Sequence, residues 1–385
     1  MLTLFQSSIF ALAGAAAVAG HSHEGPKSAE EKASLNKLKE ASYLCAPQIA
    51  AYNAQRERAW AQKVLGGASY AEKRRFVEGG WEDIAQQMKS IDGAHETDSG
   101  DKRILACEAV AGSKIRNHTC VLAPEVTEGP YFHDGEHPIR SNLGELKDGL
   151  PMNMQIGLID VNTCEPIENV LLDIWHCDAL GYYAGHPRPH AHLTDEEPAK
   201  EGHRKGLLSA YPRDHDGETW LRGAQISDRN GIVEFQSIFP GYYQGRATHW
   251  HIRVHPDFEV LPNNTYIGKT LAHTGQLFVQ DDINSAVDMM YPYVNNHLRT
   301  MPGRGRTRNW QDSLNIFEDS QIGGYQSMWD MHYMGSVISQ GLQGFITVVI
   351  NSTADYSQIK WSVEQGKDRF ASKLAEPTAA VHEEL

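Results

Sequence analysis

No dense block of lysine or arginine occurs anywhere in this chain of 385 residues. Lysine and arginine together number 35 against 49 aspartates and glutamates, a formal net charge of −14, so the electrostatic footprint of a nucleic-acid partner is missing. Beyond the N-terminal leader no run is long and apolar enough to span a bilayer. Internal repeats and low-complexity tracts are also lacking, which leaves out solenoids and compositionally biased linkers. What is there reads as globular: charged residues make up 22% and hydrophobic ones 41%. The length holds one large β domain with a helical appendage, or two modest domains.

The start of the chain differs from the rest. Leu2 to Gly20 carries no charge, and Ala17-Val18-Ala19 offers a small-x-small cleavage pattern, so residues 1–19 read as a secretory signal peptide. A membrane anchor is the alternative, disfavoured because the apolar core is short and broken by Gln6, Ser7 and Ser8. Three N-x-Ser/Thr sequons, at Asn117, Asn263 and Asn351, agree with a secreted glycoprotein. In an oxidising compartment Cys45, Cys107, Cys120, Cys164 and Cys177 allow two disulfides and one free thiol. Cys177 closes the apolar run from Val170 and is the expected buried thiol; the pairing of the other four is open.

Residues 28 to about 92 read as helical, opening at the capping-box pattern Ser28-Ala29-Glu30-Glu31 and punctuated by Gly66-Gly67 and Gly79-Gly80. Two or three helices there pack on the core or make a homodimer contact, with a cleaved pro-segment as the alternative. Asp92 to Asp101 reads as a linker. The expected division is a helical segment and linker over 20–112, a β domain over 113–351 and a polar tail over 352–385. Candidate strands are Met152 to Val161, Val170 to Cys177, Arg222 to Ser227, Ile232 to Ile238, Trp250 to Val254, Gln276 to Gln280 and Phe345 to Ile350. Short strands without regular intervening helices point to an antiparallel sandwich, and Asn230-Gly231 signals a hairpin. Asp282 to Gln340 is a long, irregular, aromatic insertion that covers something. Its Arg299, Arg304, Arg306 and Arg308 read as a solvated loop.

The chemistry concentrates in the stretch Gly245 to Val254, which contains His249-Trp250-His251. Strand side chains alternate faces, so both imidazoles point the same way, spaced to bind one ion. Two tyrosine pairs, Tyr182-Tyr183 and Tyr242-Tyr243, precede it, and the same alternation leaves open which phenol of each pair faces the ion. Two phenolate oxygens with two imidazole nitrogens favour ferric iron over zinc. A zinc hydrolase is disfavoured, because the nearest carboxylates, Glu234 and Asp257, sit at no familiar zinc spacing from the histidine pair.

Five motifs then occur in order: Thr127-Glu128-Gly129-Pro130-Tyr131-Phe132, the run Ile174 to Tyr183, Phe239-Pro240-Gly241-Tyr242-Tyr243, the run Arg246 to His251, and Gly275-Gln276-Leu277-Phe278. The series resembles the intradiol ring-cleavage dioxygenases, particularly their secreted fungal relatives, over roughly residues 120 to 285. The resemblance implies a mostly β fold, an antiparallel β-sandwich holding mononuclear non-haem Fe(III) through Tyr183, Tyr243, His249 and His251. Tyr182 and Tyr242 then become packing aromatics, and His176, His186, His190 and His255 fall outside the ligand set. By the same resemblance Tyr243 and His251 are axial and Tyr243 is the ligand that leaves. Arg246 stabilises negative charge on the ring, and Gln276 orients the substrate. The implied partners are a small aromatic diol and O2, with cleavage between the hydroxyl-bearing carbons to muconate-type products. Ala247-Thr248 departs from the Pro-Ala of the usual motif, which leaves the substrate open. Leader and sequons suggest environmental catechols or hydroxyquinols. The competing reading is a non-catalytic secreted sandwich that binds polyphenols or cell-wall polymer.

Overall fold

The computed structural model describes residues 44–65, 126, 128, 129, 131–133, 135–186, 197, 198, 208, 209, 217–243, 245–300, 305–312, 316, 317 and 327–357. Its framework is eight strands: β1 (Pro151–Asp160), β2 (Leu171–Trp175), β3 (Arg222–Ile226), β4 (Ile232–Ile238), β5 (His249–His255), β6 (His273–Phe278), β7 (Asp330–Tyr333) and β8 (Leu342–Ile350). They form two four-stranded sheets, in the orders β7-β8-β1-β4 and β6-β5-β2-β3. Ladders within both sheets are antiparallel except β1 with β8, which run parallel from Met152 opposite Leu342 to Asp160 opposite Ile350. The fold is thus mostly β, as the spacing of strand-like runs predicts, and each expected strand is found within a few residues of its expected bounds.

One hydrophobic core fills the space between the sheets. Met152, Met154, Ile156 and Leu158 of β1 and Ile346, Val348 and Ile350 of β8 meet Leu172 and Ile174 of β2 and Trp250, Ile252 and Val254 of β5. The period of two then sends His249, His251 and Arg253 to the opposite face of β5, outside the sandwich. A one-residue slip would exchange these polar groups for Trp250, Ile252 and Val254. Each buried large apolar side chain is worth ~1.5–3 kcal/mol, so the register that exports the histidines is strongly fixed.

Both outer faces are covered. Helix α1 (Ala46–Leu65) lies on the first sheet, with Ile49, Arg56 and Ala61 buried at helical spacing. Pro47 sits in its first turn, where a missing N–H leaves no helical bond unmade. Ile49 packs with Ile159, Val161 and Val349, and a disulfide joins Cys45 to Cys164 beside them. Arg56 donates to the Ile346 carbonyl at 3.2 Å and to Thr347 Oγ1 at 2.8 Å, under the Tyr52 ring at 4.7 Å. Gly157 makes the contact possible, since a Cβ there would sit 2.5 Å from Tyr52 Cε1. This portion of the expected helical segment packs on the core. Cys177 is free and buried, as expected. The leader, Asn117, Cys107, Cys120, the linker, residues 66–92 and most of the tail lie outside the described residues. Among those described, no helix is long and apolar enough to cross a membrane.

Two expectations need correction. The Asn230-Gly231 turn forms, with Asp228 Oδ1 accepting the N–H groups of Asn230 and Ile232 at 2.8 Å each. It joins β3 and β4, however, which enter different sheets, so it is a crossing between layers and not a ladder hairpin. The strands part because β4 pairs with β1 and β3 with β2. Of the insertion arginines, Arg306 and Arg308 are half-buried rather than part of a solvated loop, while Arg299 is exposed as expected. Helix α2 (Asp281–Asp288) ends on a buried aspartate, and its negative C-terminal end draws cations. Arg306 pairs with the Asp288 carboxylate, donates to Thr248 Oγ1 at 2.7 Å and lies 4.2 Å from the Tyr242 ring centroid. Arg299 donates to the Asp288 carbonyl at 2.6 Å, and Arg308 to Ser285 Oγ at 2.6 Å. Arg304 lies outside the described residues.

Candidate metal centre

The outer face of the second sheet carries the site. On β5, His249 and His251 stand side by side with Gln276 of β6 and Trp175 of β2, both opposite His251 in register. Two loops bring the phenols. After β2 the chain turns at Asp178, whose Oδ1 accepts the N–H groups of Leu180 at 2.9 Å and Tyr182 at 3.0 Å. The loop after β4 crosses it, with Gly241 N–H donating to the Asp178 carbonyl at 3.0 Å. Gly181, at φ +91°, lets the Tyr242 carbonyl approach closer than any Cβ would allow. That close crossing delivers Tyr183 from one loop and Tyr243 from the other.

The four sequence-predicted donors meet. Tyr183 Oη lies 3.4 Å from His249 Nε2 and 3.2 Å from His251 Nε2. Tyr243 Oη lies 3.3 Å from His249 Nε2, and the two Nε2 atoms are 3.1 Å apart. Their neighbours in sequence point elsewhere: Tyr182 stacks on His297, and Tyr242 lies under Arg306. His176 is engaged by the Cys177 carbonyl at 2.7 Å and Ser237 Oγ at 2.8 Å, and His255 by the Thr270 carbonyl at 2.7 Å. His186 meets His133, and His190 lies outside the described residues.

The donor set fits a cation. His249 Nδ1–H donates to the Ala247 carbonyl at 2.6 Å, which leaves its Nε2 lone pair bare and aimed at the other three atoms. Stacking on Trp175, 4.8 Å between centroids and 7° between planes, orients His251. Burial drives both imidazoles well below the ordinary histidine range, helped by Arg246 beside His249 and by His249 beside His251. Burial likewise pushes Tyr243 up to about 12 and Tyr183 well above the usual phenol value. Alone, these groups are four neutral lone-pair donors crowded at 3.1–3.4 Å. Such edges suit a polyhedron of metal bonds about 2.0–2.2 Å long. A bound cation is what would let the phenols ionise.

Around the donors lies a charged frame. Arg246 is nearly buried; burial opposes its charge, but Asp312, Tyr243 and Tyr183 outweigh it and hold the guanidinium more firmly protonated than usual. Its Nη1 donates to Tyr243 Oη at 3.3 Å and its Nη2 to Gln276 Oε1. Gln276 Nε2 and His251 Nδ1 are buried and have no hydrogen-bond partner among the described residues. Behind Trp175, His137 donates from Nδ1 to Asp173 at 2.6 Å and accepts from Arg222 at 3.3 Å. Tyr131 stacks on Tyr183 at 4.4 Å. A second group, Glu57, Asp330 and His332, lies under α1 on the other sheet with its ligand atoms within 4.8 Å of one another. There the Arg56 guanidinium already feels the charges of Glu57 and Asp330.

The chain is similar to a solved intradiol ring-cleavage dioxygenase from Tetranychus urticae, 30% identical, covering 61% of this chain and 97% of that one, with a TM-score of 0.47. This chain belongs to the intradiol ring-cleavage dioxygenase family. Two more distant structures are the dioxygenase domain of a carbohydrate-binding fusion from Streptomyces sp. SirexAA-E and hydroxyquinol 1,2-dioxygenase from Pseudomonas putida. The first is 22% identical, covering 59% of this chain and 96% of that one, TM-score 0.34. The second is 16% identical, covering 78% and 98%, TM-score 0.34. No family model and no curated protein matches the sequence. Sequence reasoning missed the frame around the four donors: Asp312, Arg222 and the His137–Asp173 pair. Only Tyr131 had a visible signal, since it falls inside the first of the five motifs.

Proposed function

We infer that this chain binds non-haem ferric iron at Tyr183, Tyr243, His249 and His251 and cleaves catechol-type rings between the two hydroxyl-bearing carbons. The observation that carries this reading is the meeting of Tyr183 Oη, Tyr243 Oη, His249 Nε2 and His251 Nε2 through four contacts of 3.1–3.4 Å. When bound, ferric iron supplies the positive charge that keeps phenols and a catechol ionised at neutral pH, and it activates the ring toward O2. The residues do the rest. His249 keeps its proton on Nδ1, where the Ala247 carbonyl holds it. Tyr243 Oη takes the proton of an incoming hydroxyl, and the Arg246 Nη1–H beside it steadies that oxygen in either protonation state. Gln276 Nε2 is the donor left over to orient a substrate oxygen. Arg246, buried with its Nη groups beside Tyr243 and Gln276, meets negative charge that develops on the ring. Tyr131 and Trp175 pack with Tyr183 as apolar walls of the site.

The substrate class we favour is environmental catechols and hydroxyquinols, with the protein working outside the cell. The Cys45–Cys164 bond suits an oxidising compartment, and the sequon Asn263 is exposed at a turn. Homodimerisation through the N-terminal segment is a further element of the proposal, read by light scattering. The test of the activity is oxygen uptake by the ferric protein with a panel of catechols, with ultraviolet spectra of the products. Muconate-type products are expected. Tight catechol binding with no oxygen uptake would leave a polyphenol-binding sandwich instead.

A further inference from the structure

Asp312 lies outside the stretch that resembles the family motifs, yet it reaches the centre. It follows the 3-10 turn Asn309–Gln311 and is 1% exposed. That turn is docked on the end of β6: Asn309 Nδ2 donates to the Val279 carbonyl at 2.8 Å and Asn309 N–H to Asp281 Oδ2 at 3.1 Å. Docking brings both Asp312 carboxylate oxygens to 3.1 Å from Arg246 Nε. Oδ2 also accepts the Ala247 N–H at 2.8 Å. One carboxylate therefore holds the guanidinium and the backbone that carries it.

We propose that Asp312 is the positioning residue for Arg246, fixing the direction of its two Nη groups and neutralising its charge beside the metal centre. This rests on the reading of the site given under the proposed function. A guanidinium is a rigid planar fork, so holding its Nε edge decides where the remaining donors point. They point at Tyr243 Oη and Gln276 Oε1. Without the carboxylate, a buried cation would stand uncompensated next to a trivalent ion, free to turn toward any other acceptor. The long insertion thus completes the site from a distance of many residues, and its role is not limited to cover.

The test compares full-length Asp312→Asn and Asp312→Glu with the wild type. Asp312→Asn is expected to keep its iron content while kcat falls about 10–100-fold and KM moves by less than about threefold. Asp312→Glu, which keeps the charge on a longer arm, should lie between the two. In the metal-free proteins, hydrogen exchange of the peptide carrying Ala247 should quicken about tenfold in Asp312→Asn. That arm does not depend on catalysis, so an inactive or iron-free wild type would sink the proposed function while still deciding the role of Asp312. Wild-type kcat with unchanged exchange overturns the proposal, as does a loss of kcat that only tracks lost iron. If Asp312→Asn does not fold, Asp312→Glu decides alone: lowered kcat at full iron supports the role, and wild-type kinetics overturns it.

Discussion

The two outer faces of the sandwich are built from the same alternating strand pattern and put to opposite uses. On the first sheet, Gly157, Ile159, Thr347 and Val349 turn outward, and α1 lies down on them with Ile49, Tyr52 and Arg56. An apolar strip of Ile49, Ile159, Val161 and Val349 lies there, stapled by Cys45–Cys164, beside the polar group Glu57, Asp330 and His332. On the second sheet the outward positions are Asp173, Trp175, Arg222, His249, His251 and Gln276, all 3% exposed or less. Burying so many polar groups is unfavourable unless each finds a partner, so this face has a dense frame of hydrogen bonds around a few donors kept free. One face supplies stability with little chemistry; the other holds chemistry at the expense of stability.

Breaking the second face should give the largest effects. His251→Ala or Tyr183→Phe is expected to lower metal affinity more than about a hundredfold, since even an outer partner of a ligand is worth ~10–100-fold. Activity should vanish with the metal, while the melting temperature of the metal-free protein changes little; metal analysis and calorimetry check both. Asp173→Asn comes next. Burial opposes the Asp173 charge, but its bonds with His137 and Tyr266 outweigh that and hold the carboxyl below its ordinary range. A depressed folded value means the stability it contributes is fully present above the ordinary carboxylate value of about 4 and is lost as pH falls through the folded one. The variant should be less stable by about 3–5 kcal/mol in urea at neutral pH and show a flatter acid limb.

The first face should answer more mildly and without touching the site. Replacing Cys45 and Cys164 by serine is expected to remove about 2–4 kcal/mol of stability, read by denaturant midpoint, and to leave iron content and kcat as they were. Gly157→Ala forces Tyr52 off β1 and should destabilise by about 1–3 kcal/mol, again with unchanged kinetics. A change in catalysis from either variant would break the contrast between the faces.

The sequence made the second face legible where period and chemistry coincide. His249 and His251 flank Trp250, so alternation alone sends them out together. The apolar runs likewise mark β1, β2, β4 and β8. The choice of Tyr183 over Tyr182 and Tyr243 over Tyr242 came only through the family resemblance, because it depends on the close crossing at Gly181 and Gly241, which no local pattern encodes. Asp312 left no signal: it reaches Arg246 through a turn docked by Asn309 and Asp281, contacts between residues far apart in the chain. The misjudged Arg306 has the same origin, since it is half-buried against Asp288 and Tyr242 and not by its own neighbours. The turn at Asn230-Gly231 was legible as a turn, but which sheet each flanking strand joins is settled by β1 and β2.

The visible absorption of the purified protein at known iron content tests the central claim most directly. One ferric ion per chain bound by two tyrosines gives a tyrosinate-to-iron charge-transfer band, weakened in Tyr183→Phe and shifted when a catechol is added. A protein that stays colourless after ferric reconstitution, or one whose colour is indifferent to loss of Tyr183, would contradict it.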